Sequence, residues 1–473
     1  VLVSADASGS RGRDWRFPEL AGTPGASADG RAHDLDFGDG ATAYLRARWR
    51  ALTASAACGH SFAGLRVRPA RDHHAALESL VCFAEAALEG QVAERLSLRG
   101  RVSLDSLEQG AGRPTPAPPL GVGLFRVAGS ERWVTGELRA DWRPWDRARV
   151  DVGSTLQLHR AYQHTYADPL TGVDVELEKG FSTSNSWAAA ELRLDGGLTL
   201  HGGLTFFAHS LFGNRLTPKL AAVWQPDASD TVKAIWSGGF RPPTFVEALL
   251  DDQLAFLPNP DLTPESVRSL ELAYEHRFTG VASLAASLFW NRYRDLINYE
   301  TVPAPGLDHP PDPSNPSDFR QIGRNGGTLD TLGGEVALTL RFGDALEAWG
   351  GVSVQHASEA ARANFPRVTG NLALSTRAAW RPLRLTGRAT VVGPRRKDAT
   401  SLPPGQRAEV PTAVELGAGA ALDVPGVPGL QLELGLVNAL DTRGVSPAPG
   451  DNAPVTELPI APRTIRADLR YRF

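Results

Sequence analysis

Apolar and polar residues alternate one by one along much of this chain. In the last ten residues, TIRADLRYRF, the places Ile465, Ala467, Leu469, Tyr471 and Phe473 are apolar, and Thr464, Arg466, Asp468, Arg470 and Arg472 lie between them. A strand sends successive side chains to opposite faces, so one face here is greasy and the other heavily charged. The pattern returns in SLELAYEHRF (269–278), GEVALTLRF (334–342), VTGELRADW (134–142) and LQLELGL (430–436). Each is predicted to be a strand with one apolar face.

A soluble sandwich accounts for each strand taken singly, with its apolar face on a core. It does not account for the strand ends. The apolar faces finish in an aromatic just before a short turn, at Trp142, Trp224, Phe278, Phe342, Trp380 and finally Phe473. An aromatic ring at one level is the girdle expected where a membrane barrel meets water. Connections also alternate in length. Short ones such as RPWDR, QPDASD, TG, GDAL and RPLR separate long Gly-, Pro- and Asp-rich ones at 9–40, 105–130, 161–184, 240–266, 295–327 and 441–462. Short periplasmic turns and long outer loops are the outer-membrane arrangement. The pattern therefore predicts an all-β fold: a large antiparallel transmembrane β-barrel of about 20 strands, closed because lipid offers no partner to an open edge. On this reading VLVSADASGS is an upward strand that leads into a long outer loop.

Composition narrows the classes. The 473 residues carry a formal charge of −4, against a dedicated nucleic-acid binder. Four lysines (Lys179, Lys219, Lys233, Lys397) leave arginine with nearly all the positive charge. No apolar run of about 18 residues exists to form a membrane-spanning helix. Two cysteines, Cys58 and Cys82, suit one disulfide in an oxidising compartment, placed in an outer loop and worth about 3 kcal/mol; the alternative is two unrelated thiols.

One region is more specific. SGGFRPPTFVEALL (237–250) followed by LPNPDLTPESVRSLELAYEHRF (257–278) resembles the paired signature of TonB-dependent outer-membrane receptors. The matching residues are Phe240, Arg241, Pro243, Asn259, Pro260, Asp261, Leu262, Pro264 and Glu265, with Pro242 where the family usually has alanine. SLFWNRYRDLI, FRQIGRNGGTLDTLGGEVAL and LVNALDTRG resemble further family boxes in the same order. The resemblance covers about the last 260 residues closely. It implies a 22-stranded barrel, so that 20–22 strands are expected, and a lumen plugged by an N-terminal domain. No plug sequence or TonB box precedes Val1, so residues 1–473 are expected to be barrel alone, with two strands missing as well.

The family likeness implies active import of a scarce ligand, most often a ferric siderophore, at the bacterial cell outer membrane. The alternatives are cobalamin, haem or a plugless passive pore; a soluble multi-sheet binding protein is the remaining rival. The implied partners are outer-membrane lipid, the TonB energy-transducing complex through the plug, the barrel-assembly machinery and a small metal-chelate ligand, with no nucleic acid and a monomeric state. No cofactor is expected. Cargo contacts are assigned to the outer loop and lumen at Arg241, Asp251, Asp252, Phe256 and Asn259. Three weaker candidates stand beside these. His73 and His74 could ligate haem iron or sit in a solvated loop; a haem receptor of the family carries a histidine between its two boxes, and 244–258 has none. Asp34, Asp36 and Asp39, beside glycines, could hold calcium or form an ordinary acidic loop. Arginines such as Arg241, Arg341, Arg466 and Arg470 could draw in an anionic chelate or pair with acids such as Glu335 and Asp468. No set of nucleophile, base and orienting group occurs, nor a phosphate loop, so an enzyme is not expected.

Overall fold

The computed structural model describes residues 1–12, 14–17, 21–22, 29–32, 36–65, 75–117, 121–168, 173–251, 256–278, 280–312, 315, 318–343, 345–358, 364–378, 382–397, 408–447 and 457–472. One antiparallel sheet of 20 strands dominates it. In chain order these are β1 Leu2–Ser10, β2 Gly38–Trp49, β3 Leu52–Leu65, β4 Ala75–Ala93, β5 Leu96–Ala117, β6 Gly121–Trp145 and β7 Ala148–Asp168. There follow β8 Val173–Arg193, β9 Leu198–His209, β10 Gly213–Trp224, β11 Asp230–Arg241, β12 Glu265–Phe278, β13 Ala282–Arg294 and β14 Thr328–Phe342. The last six are β15 Leu346–Ala357, β16 Val368–Arg377, β17 Leu383–Val392, β18 Ala413–Asp423, β19 Leu430–Val437 and β20 Thr464–Tyr471. Each strand pairs with the next along the chain, from β1–β2 to β19–β20. Among the described residues no register joins β20 to β1.

The two faces are inverted relative to a soluble protein. Outward-facing Leu138 is 72% exposed and Leu272 52%, whereas inward-facing Ser103 and Thr135 are 4% and 3% exposed. A sheet of this width curls on itself, and only hydrocarbon makes favourable surroundings for such an outer wall. Inside, polar groups satisfy one another. Ser55 donates to Glu85 at 2.6 Å, and Arg101 reaches Glu85 and Glu137 at 3.5 and 3.0 Å. Arg139 and the Trp187 indole both donate to Asp151, at 2.5 and 2.6 Å.

The strand feet carry exposed aromatics at Trp142, Trp224, Phe278 and Phe342, joined by Trp49 and Trp145. Trp380 and Phe473 lie outside the described residues.

Two expectations need correction. The stretches 105–130 and 161–184 are not loops but hairpin arms, because β5 to β8 run 22, 25, 21 and 21 residues. Prolines and glycines in GAGRPTPAP suggested a loop. However, among the described residues β4 and β5 part company above the Ala76–Gly112 pair, and that edge of β5 has no described partner from there on. Alternate residues such as Pro114 and Pro116 can turn their missing N–H to that edge. The second correction concerns the disulfide. The structure joins Cys58 to Cys82, but mid-strand rather than in an outer loop: the two stand directly opposite in the β3–β4 register, with Cα atoms 4.1 Å apart. Both lie on the lipid-facing side, in line with Ala56 and Ala84.

Leu272→Arg should therefore impair assembly by about 2–4 kcal/mol near the midplane, whereas Glu271→Gln, on the inner face, should be mild. Equal behaviour of the two in a heat-modifiability gel would contradict this facing. Thiol alkylation of the unreduced protein should leave Cys58 and Cys82 unlabelled by mass spectrometry; labelling of both would contradict the bond.

Candidate functional site

The signature residues are built into a compact knot above β11 and β12. Strand β11 stops at Arg241 because Pro242 and Pro243 cannot donate to a ladder. Thr244 then caps a one-turn helix, α1 (Phe245–Leu249), through a reciprocal pair of bonds with Glu247. The Arg241 guanidinium grips both Glu247 oxygens at 2.8 and 3.0 Å and reaches Glu265, the first residue of β12, at 2.8 Å. The remaining oxygen of Glu265 accepts from the Ile297 amide at 2.7 Å. One arginine thus fastens the end of β11, the helix and the start of β12 together. Burial pushes Glu247 toward its neutral form, but the Arg241 and Thr244 hydrogen bonds outweigh this and hold it below the usual carboxylate range.

The second box docks onto the same knot. Asn259 accepts from the Asp261 amide at 3.2 Å, making a tight bend, and donates to Gly323 O at 2.8 Å. Gly323 belongs to a short strand, Phe319–Asn325, paired with Ile297–Pro303 and with Phe256–Leu257. Asn325 holds the Thr263 backbone from both sides, at 2.7 and 2.8 Å. Leu262, Ala248 and Phe212 form a small buried core, against which Leu249 and Ile297 pack. A side chain at Gly323 would press on Glu247 O and Leu262, each 3.3 Å from an added Cβ.

The five cargo positions therefore separate. Arg241 and Asn259 have donors committed to the knot. Asp251 faces Arg320 at 3.4 Å, and Phe256 meets the Tyr299 ring edge-on at 5.4 Å. Burial, and then the charge of Glu247, raise the Tyr299 phenol above its ordinary value. Asp252 lies outside the described residues, as do Asp34, His73 and His74. Asp36 and Asp39 are described, and no metal-holding group of three His, Cys, Asp or Glu occurs among the described residues.

Sequence reasoning missed an array of rings on the inner wall. Trp133 (β6), His159 (β7), Phe181 (β8) and His209 (β9) stack across four strands, with ring centres 5.5, 4.0 and 5.0 Å apart and planes within 18°. Phe245 of α1 rests on Phe181 at 4.8 Å, so the array runs into the knot. His159 Nδ1 faces Glu131 at 2.6 Å, while its Nε2 is buried with no hydrogen-bond partner among the described residues. His209 Nδ1 accepts from the Leu211 amide at 3.1 Å, which places its proton on Nε2 in the neutral form. Only the cross-strand register reveals this array, since its members are about 25 residues apart in the chain.

A family model described as TonB dependent receptor-like, beta-barrel, matches residues 12–439. An iron-regulated outer membrane virulence protein of Vibrio cholerae is 31% identical over 161 residues, which are 33% of this chain and 24% of that protein. The chain thus aligns with about a quarter of that relative's length. Among solved structures, the copper transporter OprC superposes with a TM-score of 0.73 at 12% identity, covering 100% of this chain and 75% of that one. A mutant form of the ferric enterobactin receptor PfeA of Pseudomonas aeruginosa gives 0.73 at 16% identity with the same coverage. At these identities the structural likeness is one of fold.

Arg241→Ala should loosen the knot by about 2 kcal/mol, since it leaves two carboxylates without their charged donor. Limited proteolysis should then cut within 244–265 while the barrel stays heat-modifiable. Acid below the ordinary glutamate range, but not mild acid, should do the same to the wild type: the depressed Glu247 stabilises the knot at neutral pH and loses that effect as pH falls through its lowered value. An unchanged cleavage rate in Arg241→Ala would contradict the role of the clamp.

Proposed function

Since this chain belongs to the TonB-dependent receptor family through its β-barrel, we propose that it imports a scarce ligand, a ferric siderophore before any other, across the bacterial outer membrane. Uptake of this kind draws energy from the TonB complex through a plug domain seated in the lumen. The observation that carries the reading is the upper inner wall, where a continuous array of rings meets the signature knot. Flat aromatic and imidazole faces suit a bulky chelate with π-surfaces. Asp251 and Phe256, on the segment between the two signature boxes, are the contacts through which the mouth reads its cargo. The iron-regulated relative supports an iron chelate over other cargo.

Uptake of radiolabelled ferric siderophores by cells expressing the receptor tests this. Asp251→Ala with Phe256→Ala should lower uptake roughly tenfold at unchanged surface level, an effect of about 1.4 kcal/mol. Normal uptake in that variant would remove the two residues from the site. Uptake that persists after the proton-motive force is collapsed, together with high conductance in planar bilayers, would replace active import by a passive pore.

A further inference from the structure

The lipid-facing wall is not smooth. Across β1 to β7 a shallow groove of about 920 Å³ is cut into it. Its floor is made of small residues, Ala56 and Ala84, with the Cys58–Cys82 bridge beside them, and Leu45 and Leu104 stand as walls. Its far end is not apolar. Arg132 and Arg160 line it there.

Arg160 reaches that position through an irregularity in β7. The register with β6 steps from Trp133–His159 to Arg132–Ala161, which leaves Arg160 as an extra residue with no opposite number. The β8 register shifts at the same place. A bulge of this kind re-aims a side chain. Here His159 keeps its place in the inner array, while Arg160 turns outward beside Arg132.

Height along the barrel gives the arrangement its meaning. Cys58 lies six residues above the foot of β3 and its bonded partner Cys82 eleven above the foot of β4, while Arg132 and Arg160 lie thirteen and twelve above the feet of β6 and β7. At about 3.3 Å per residue and a tilt near 40°, the arginines stand roughly 30 Å above the periplasmic turns. That is the full thickness of the hydrocarbon layer. The groove therefore runs obliquely across the strands, along the register row Cys58, Cys82, Ser106 and Arg132, and ends at two cations at the outer boundary. Glu108 pairs with Arg132 at 3.5 Å, and His60 with Glu78 at 3.0 Å on the same face. Arg160 has no ion-pair partner among the described residues, so its guanidinium is open to a ligand.

We propose that the groove is a specific seat for an anionic lipid of the outer leaflet, with an acyl chain along Ala56 and Ala84 and a phosphate between Arg132 and Arg160. A phosphorylated amphiphile matches both ends at once: apolar length below, negative charge above. Neither a neutral lipid nor a soluble anion does so.

Native mass spectrometry and thermal unfolding of the purified full chain in detergent test the seat. A phosphorylated lipid should remain bound and raise the melting temperature of the wild type, while an uncharged lipid of the same chain length and inorganic phosphate should not. Arg132→Gln with Arg160→Gln should reduce retention at least tenfold, and so should Ala84→Phe, which fills the floor, in protein that still runs as the folded form on heat-modifiability gels. Equal stabilisation by the uncharged lipid or by phosphate alone would overturn the proposal. So would undiminished retention in the arginine pair, and both wild-type measurements stand whether or not a variant assembles.

Discussion

Within hydrocarbon a backbone amide can bond only to another backbone group, and each one left alone costs several kcal/mol. Most of what this chain does follows from that shortage. Twenty strands in unbroken sequence order give nearly every amide a neighbour, and the alternation of side chains then assigns one residue in two to lipid. The inner face, freed from lipid, can hold the charges that the outer face excludes. Those charges do not stand singly: Glu85, Arg101 and Glu137 run across β4, β5 and β6, and Arg139 with Asp151 continues the line to β7.

Above the membrane the constraint relaxes and side chains take over the work of holding backbone. The signature knot shows how. Two prolines end a strand, so the chain needs a new anchor at that point, and Arg241 provides it through a planar fork that serves two carboxylates at once. Glu247 and Glu265 would repel each other without the cation between them. Lysine also has three donors, but all on one rotating nitrogen and not spread over a rigid plane, so the geometry of the guanidinium matters as much as its sign. Phe245 then couples the knot to the inner wall several strands away, so the two candidate parts of the mouth form one packed unit.

Strand identity was legible in the sequence wherever both environments were distinct. SLELAYEHRF alternates cleanly because one side of β12 meets lipid and the other a wet lumen. The upper halves of β5 to β8 were not legible, because strands of 21 to 25 residues outrun the hydrocarbon layer, whose lipid contact causes the alternation. The signature boxes could be found by their residues, and only the folded positions of Glu265 and Gly323 show where the donors of Arg241 and Asn259 go. The ring array was hidden for another reason. Trp133, His159, Phe181 and His209 share no local motif and become neighbours only through the register of four strands, one of which carries a bulge.

The cross-strand cysteine pair in β3 and β4 carries a consequence for how the wall is assembled. A hairpin that closes one residue out of step turns one cysteine to the lumen and the other to lipid, and the sulfurs cannot meet. A slip of two residues restores the facing but slides the partners about 7 Å apart, again beyond reach of a bond. Oxidation is thus possible for one alignment alone. The bond can therefore close only on a hairpin whose neighbouring side chains already point to their proper sides.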